Sequence, residues 1–255
     1  MVTNETGSAV RAVNKLAGLV RRCVEDYMMI EDGETIAVGV SGGKDSLSLL
    51  CALAELRGYY PKRFALHAVT LDMGFGNSDF SPVERLCEDL GVPYTLRRKE
   101  MKQLIFDGGR TKNQCSLCAK MRRGALHDMM SDLGIKKIAL AHHHDDAVET
   151  FLLSLLYEGR ISCFQPVTYM DRADITQIRP MLYAKEESIK KFASVCGLPV
   201  VVNPCPIDGA TKREEIKVLL GVLEKSYPNL KNKIFGSMQR FPLYGWERDV
   251  NKQET

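Results

Sequence analysis

The sequence lacks any apolar run close to the roughly 20 residues that a membrane-spanning helix requires. The segment Met1–Ala9 contains Glu5 and has no apolar stretch of the kind found in secretory signals. Internal repeats and low-complexity segments are absent, and 35 basic against 32 acidic residues leave a net charge of only +3. We therefore expect a soluble, cytoplasmic protein without a membrane partner. This charge neither requires nor excludes an RNA partner.

Cysteine is sparse, with eight residues in a chain of 255, and its distribution does not resemble the disulfide framework of a secreted protein. Five cysteines lie within apolar or helical patterns and are expected to be small buried thiols: Cys23, Cys51, Cys87, Cys163 and Cys196. The other three, Cys115, Cys118 and Cys205, lie in polar or proline-flanked segments. An inert core residue is out of place there, so these three require a chemical explanation.

Apolar β-branched runs alternate with helix-period segments along most of the chain. The predicted strands are Thr35–Val40, Phe64–Leu71, Val92–Arg97, Lys137–Ala141, Thr176–Arg179 and Pro199–Val202. Such alternation predicts an α/β fold in which a parallel sheet carries helices on both faces. We expect an N-terminal helix in residues 1–30, a main domain in residues 31–205 and a C-terminal helical segment in residues 206–255.

The first predicted strand ends at a glycine turn, Ser-Gly-Gly-Lys-Asp-Ser. Its glycines let several backbone N–H groups converge on one anion, and the following helix adds a partial positive charge. Lys44 adds a full cation, and Asp45 can either position Mg2+ or cap the helix. The alternative interpretation is an ordinary glycine-rich turn. The predicted nucleotide-binding residues of this loop are Ser41, Gly42, Gly43, Lys44, Asp45 and Ser46.

This hexapeptide differs from the Walker and dinucleotide-binding motifs in the spacing of its glycines. It resembles the PP-loop of ATP pyrophosphatases, a family that includes GMP synthetase, NAD synthetase and tRNA-thiolating enzymes. In that family the loop grips the β and γ phosphates of ATP while a substrate oxygen attacks the α phosphorus. The resemblance implies that the main domain is a PP-loop ATP pyrophosphatase domain.

Cys115 and Cys118 have the spacing of metal ligands and lie near the predicted start of a helix. Spacing alone leaves a zinc site, a redox disulfide, buried thiols and an iron–sulfur centre open. Together with Cys205 they provide three thiolates, which suit a [4Fe-4S] cluster with one open iron. Zinc requires a fourth ligand, such as a histidine or an aspartate.

The predicted strand Lys137–Ala141 ends at three histidines followed by two aspartates. Because the carboxyl ends of parallel strands share one edge, we expect this motif to meet the phosphate loop. Neighbouring residues face apart, so Asp145 and Asp146 cannot both point into one pocket. One is predicted to bind Mg2+ or to act as general base, and the other to cap the helix. The same geometry disfavours a metal site made of histidines alone.

Five motifs occur together and in one order along the chain. They are the phosphate loop, Cys-Ser-Leu-Cys followed by Lys-Met-Arg-Arg-Gly, Ala-His-His-His-Asp-Asp-Ala-Val-Glu-Thr, Ile-Arg-Pro-Met-Leu and Pro-Cys. This combination is similar to that of the TtcA family of tRNA 2-thiocytidine synthetases, over about four fifths of the chain (Ile36–Gln239).

The resemblance implies a particular set of ligands and site residues. It places a [4Fe-4S] cluster on Cys115, Cys118 and Cys205, and ATP on the phosphate loop with help from Ala141, His142 and an aspartate. Arg122 or Lys120, close after Cys118, is a candidate for neutralising phosphate charge. The predicted catalytic residues are Asp145, Asp146, Arg122 and Lys44.

The expected activity is ATP- and cluster-dependent thiolation of a tRNA base, with the anticodon-loop cytidine at position 32 as the expected target. Adenylation would make the pyrimidine oxygen a leaving group that sulfur then replaces. The expected partners are tRNA and a sulfur donor, either a cysteine desulfurase or free sulfide, and a homodimer is possible. The alternatives are a thiolase or sulfur-handling enzyme for another tRNA base or a small molecule, a zinc-structured PP-loop ligase, and a non-catalytic iron–sulfur nucleotide sensor.

Overall fold

The computed structural model describes residues 2–76, 78–100, 114–201 and 212–249, with the side chains of residues 2–6, 114–116 and 119 left out. The strands are β1 (Glu34–Gly39), β2 (Phe64–Asp72), β3 (Tyr94–Arg98), β4 (Lys137–Ala139), β5 (Val167–Met170) and β6 (Ile175–Ile178). The helices are α1 (Val2–Asp26), α2 (Lys44–Arg57), α3 (Ser81–Asp89), α4 (Gln114–Asp132), α5 (His144–Glu158), α6 (Glu186–Val195), α7 (Lys212–Ser226) and α8 (Leu230–Arg240).

The strands form a single six-stranded sheet in the order β3-β2-β1-β4-β6-β5. Every neighbouring pair is parallel except β5–β6 at one edge. The strand order reverses between β1 and β4, where the chain passes from one half of the sheet to the other. In open sheets of this kind the ligand crevice lies at the carboxyl ends of the strands beside that reversal.

Both faces of the sheet are covered, which confirms the predicted α/β class. Along β1, Ile36 and Val38 belong to a large core that also contains α1, α2 and α6 side chains, whereas Ala37 belongs to a smaller core. Met129 and Met130 of α4 complete that second core. Alternate residues of a strand face opposite sides, so a continuous apolar run is what a doubly covered central strand needs. Among the described residues no helix is long and apolar enough to cross a membrane.

Two elements differ from the sequence prediction. Strand β5 was not predicted, because it is an antiparallel edge strand whose side chains are at best half-buried. The predicted strand Pro199–Val202 is wrong over its described residues 199–201, which form no strand. Proline lacks an N–H group for a ladder, and the N–H of Val201 donates to the carbonyl of Gly42 at 2.9 Å instead. This segment therefore supports the phosphate loop.

Candidate nucleotide site between β1 and β4

The phosphate loop leaves β1 and enters α2 through two glycines. Gly42 has φ +84°, and a Cβ at this position would lie 2.9 Å from the Cβ of Val201. Both the left-handed backbone and the close approach of the neighbouring segment require glycine here. The loop is thus held in one shape by packing as well as by its own hydrogen bonds.

The hydroxyls of the loop tie its two ends together. Ser46 Oγ donates to the carbonyl of Gly43 at 2.9 Å and accepts from the N–H of Ser41 at 3.1 Å. Gly43 is the N-cap of α2, and no side-chain hydrogen bond caps this helix. The first N–H groups of α2 and the positive end of its dipole therefore remain available for an anion such as a phosphate.

Lys44 carries the positive charge of the loop and is already matched by two carboxylates. Its Nζ lies 2.9 Å from Asp45 Oδ2 and 3.6 Å from Glu186 Oε1, the latter on the first residue of α6. The Oδ1 atom of Asp45 is buried and has no hydrogen-bond partner among the described residues. Such an atom is suited to a cation ligand or a further donor.

The three histidines after β4 face three different ways. His142 packs on Phe164 with ring centroids 4.9 Å apart, and His144 stacks on Phe235 at 4.4 Å. Burial lowers the pKa of each to about 4, and for His142 the Arg179 guanidinium acts in the same direction. Both imidazoles are therefore neutral at pH 7.

His143 joins the strand-end motif to the phosphate loop. Its Nδ1 accepts the N–H of Asp146 at 3.4 Å in a capping box, which leaves Nε2 as the protonated ring nitrogen. Nε2 lies 3.9 Å from Asp45 Oδ1 and 3.5 Å from Asp146 Oδ2. The expected meeting of the two motifs is confirmed by these distances.

Asp145 and Asp146 point to different partners. The Asp145 carboxylate accepts the N–H of Glu186 at 2.8 Å and pairs with Lys231 of α8 at 2.9 Å. Burial opposes its ionisation, but the Glu186 N–H and Lys231 outweigh burial and lower its pKa. Asp146 instead accepts the His143 N–H and pairs with Arg213 of α7 at 3.0 Å. Asp145 thus joins α5 to α6 and α8, whereas Asp146 joins α5 to α7 and contacts the His143 imidazole that faces the phosphate loop.

Three charged residues near these motifs were given no role in the nucleotide site by the sequence. Glu149, one turn beyond Asp146, is buried, and that burial together with the Asp146 charge raises its pKa to about 7. Arg213 lies 3.4 Å from Glu149, and Glu186 contacts Lys44. The only sequence signal for Glu149 was its helical spacing from Asp145 and Asp146.

The structure describes the predicted cluster ligands only in part. Cys115 lies in the first turn of α4, Cys118 follows one turn later and is partly buried, and Cys205 lies outside the described residues. Arg122 lies on the same helix with an exposed side chain. Over the described ranges no group of three or more His, Cys, Asp and Glu side chains is placed to hold a metal ion. The three-cysteine site and the role of Arg122 therefore remain predictions.

The five remaining cysteines are buried or partly buried. Burial raises the pKa of Cys51 and Cys163 to about 12 and that of Cys87 to about 11. A thiol with so high a pKa stays protonated near neutral pH and is a poor nucleophile and metal ligand. This agrees with their assignment as inert thiols.

An α/β sheet with a glycine turn after β1, a lysine at the start of α2 and a polar strand end on β4 defines a PP-loop nucleotide-binding protein. Residues 13–220 match the PP-loop domain family. A U34-tRNA thiolase, NcsA from Methanococcus maripaludis, shares the fold with a TM-score of 0.71 at 23% identity, over 90% of this chain and 78% of that one.

Sequence similarity to curated relatives identifies the family within this class. The tRNA-cytidine(32) 2-sulfurtransferase of Pelobacter propionicus is 38% identical over 227 residues, which cover 88% of this chain and 84% of the relative. That of Geobacter sulfurreducens is 36% identical over 227 residues, covering 88% of each chain. The chain belongs to the tRNA-cytidine(32) 2-sulfurtransferase family, as the resemblance to the TtcA family predicted.

Proposed function

We propose that this chain is an ATP-dependent tRNA sulfurtransferase that replaces the 2-oxygen of cytidine 32 in the anticodon loop with sulfur. The similarity to sulfurtransferases of that specificity, extending over 88% of the chain, carries the proposal. The meeting of the phosphate loop with the motif after β4 supports it, because both halves of a nucleotide site lie in one crevice.

The phosphate loop would hold the β and γ phosphates of ATP. Backbone N–H groups at the start of α2 and the ammonium of Lys44 would donate to these phosphates. Asp45 would hold Mg2+, since its Oδ1 is buried without a hydrogen-bond partner among the described residues. Asp146 lies 3.5 Å from His143 Nε2 and would orient the Asp45 carboxylate through that imidazole. Ala141 and His142 would border the nucleotide from the end of β4.

The reaction would proceed by adenylation and substitution. The cytidine 2-oxygen attacks the α phosphorus, the bond to pyrophosphate breaks, and an adenylated base forms. A sulfur nucleophile then adds to C2, and the oxygen leaves as part of AMP. Lys44 would stabilise the charge that builds up on the leaving pyrophosphate. Arg122 would serve the same purpose near the cysteines of α4.

A [4Fe-4S] cluster is proposed as the resident cofactor, held by Cys115, Cys118 and Cys205. Two of these lie one turn apart at the amino end of α4, where the helix dipole favours thiolates. Three thiolates leave one cluster iron without a protein ligand, and through it the cluster would supply a position for the incoming sulfur. NcsA, which shares this fold, carries a [4Fe-4S] cluster in its own structure.

The proposed partners are tRNA and a sulfur donor, a cysteine desulfurase or free sulfide, in the cytoplasm. A homodimer is proposed as the assembly to be examined by light scattering.

Thionucleoside analysis of tRNA tests this function. Digested tRNA from cells lacking the gene should contain no 2-thiocytidine by mass spectrometry, and complementation with the intact gene should restore it. Loss of a different thionucleoside would point to another tRNA base. An unchanged profile would contradict tRNA thiolation and leave a small-molecule enzyme or a non-catalytic sensor.

A further inference from the structure

Glu186 contacts Lys44 of the phosphate loop, although none of the sequence motifs includes it. Its carboxylate lies 3.6 Å from the Nζ of Lys44 and is only 14% exposed. The same carboxylate pairs with Lys190 at 3.0 Å and with Lys217 of α7 at 3.2 Å. Three lysines from three helices therefore converge on one carboxylate.

The position of Glu186 is fixed from its backbone as well. It is the first residue of α6, and its N–H donates to Asp145, which Lys231 holds in turn. Burial favours the neutral form of this carboxyl, but hydrogen bonds and charge from Lys190 and Lys217 lower its pKa to about 2. Glu186 is thus anionic throughout the physiological range.

An anion at this place conflicts with phosphate binding. The ammonium of Lys44 has three N–H donors, and Asp45 already engages it at 2.9 Å. The phosphates of ATP would bring several negative charges to the same ammonium and close to Glu186. Like charges at this range repel, and the repulsion is stronger beside a partly buried site than in bulk water.

We propose that Glu186 is a positioning residue that holds Lys44 and competes with phosphate for it, so that it limits the affinity for ATP and for the pyrophosphate product. Lys217 moderates this competition by drawing the carboxylate toward α7. The inference rests on ATP binding at the phosphate loop and does not depend on which base is thiolated.

The test is binding of pyrophosphate and of a non-hydrolysable ATP analogue, measured calorimetrically with the full chain, with and without Mg2+. Glu186→Gln should bind both about three- to tenfold more tightly than the unmodified chain, and the difference should shrink at high salt. Glu187→Gln, an exposed neighbour of the same charge, should leave binding unchanged. Weaker or unchanged binding by Glu186→Gln would overturn the proposal, and weakening only with Mg2+ would make Glu186 a metal ligand.

Lys217→Met tests the same competition for Lys44, with an expected change in pyrophosphate affinity opposite to that of Glu186→Gln. Lys217→Met should weaken pyrophosphate binding, because Glu186 is then left to Lys44 and Lys190, and the effect should be smaller when Glu186→Gln is also present. Lys225→Met removes an equal charge from the last turn of α7 and serves as the control. A Lys217 effect of equal size in both backgrounds would overturn the proposal. Where Glu186→Gln does not fold, unchanged pyrophosphate binding by Lys217→Met would overturn it. If the unmodified chain bound neither pyrophosphate nor the ATP analogue, the proposed binding of ATP at the phosphate loop would itself be contradicted.

Discussion

At the scale of single residues, the candidate site depends on residues that packing holds in an unusual backbone conformation or protonation state. Gly42 has a left-handed backbone under a neighbouring valine, His142 and His144 are neutral imidazoles stacked on aromatic rings, and Glu149 is a carboxyl with a raised pKa. Each state has a physical cause in the surrounding contacts. Each therefore yields a measurable consequence.

Gly42→Ala should lower the affinity for ATP by roughly tenfold or more, because the substitution strains the left-handed backbone and pushes the loop away from Val201. Calorimetric titration with a non-hydrolysable ATP analogue measures this. Gly91→Ala is the control, since Gly91 also has positive φ, at +59°, but lies in open space at the end of α3. Equal losses of affinity in both variants would contradict a specific role of the Gly42 turn.

Glu149 should make the folded chain less stable as the pH rises from about 4.5 to 7. Its pKa is about 7 in the folded state, whereas the ordinary value of a glutamate is 4.5, so over this range the folded state binds more protons than the unfolded state. Glu149→Gln removes this term, and its melting temperature relative to the unmodified chain should increase with pH. Thermal melts from pH 5 to pH 8 measure the difference, with the exposed Glu88→Gln on α3 as control. A pH-independent difference would contradict the raised pKa.

At the scale of elements, the bounds of the five parallel strands were predictable within a few residues because their apolar patterns reflect burial. Strand β5 was not, since Tyr169 is 58% exposed and the strand forms through pairing with β6. The segment 199–201 carries strand-forming residues, yet the N–H of Val201 donates to Gly42 of the phosphate loop. Whether such a segment pairs as a strand depends on tertiary contacts and not on its local sequence.

The segment after α8 is anchored by the only tryptophan of the sequence. Trp246 is fully buried, lies edge-on against Tyr27 and Phe235, and donates its ring N–H to the carbonyl of Phe164 at 2.9 Å. Trp246→Ala should lower the free energy of unfolding by about 3–5 kcal/mol. Urea denaturation measures this loss. Phe241→Ala, which removes a ring that is 79% exposed, should have little effect, and similar losses in both variants would contradict the anchoring role.

The contacts of the site were less predictable than its motifs. Sequence placed the phosphate loop and the strand end at one edge, because both follow parallel strands. It did not reveal that Asp145 would bind groups 41 and 86 residues away, at Glu186 and Lys231. Such partners come from helices α6 and α8, whose packing no local pattern specifies.

At the scale of the whole molecule, two chemistries are proposed to meet: nucleotide activation at the β1–β4 crevice and sulfur delivery at the three cysteines. Separate substitutions should uncouple them. Lys44→Ala should lose ATP binding by calorimetry while keeping the absorbance of the cluster. Cys205→Ala should lose the cluster and thiolation while its circular dichroism and ATP binding are retained, because this residue is proposed as a cofactor anchor. A fully active Cys205→Ala chain would contradict that role.

The proposed activity couples ATP cleavage to thiolation of cytidine 32. Anaerobically purified and reconstituted protein, incubated with ATP, Mg2+, sulfide and unmodified tRNA, should release AMP and pyrophosphate and form 2-thiocytidine at position 32, as read by mass spectrometry of nuclease fragments. A chain that holds its cluster and binds ATP, yet forms no thionucleoside and releases no pyrophosphate under these conditions, would contradict this coupling.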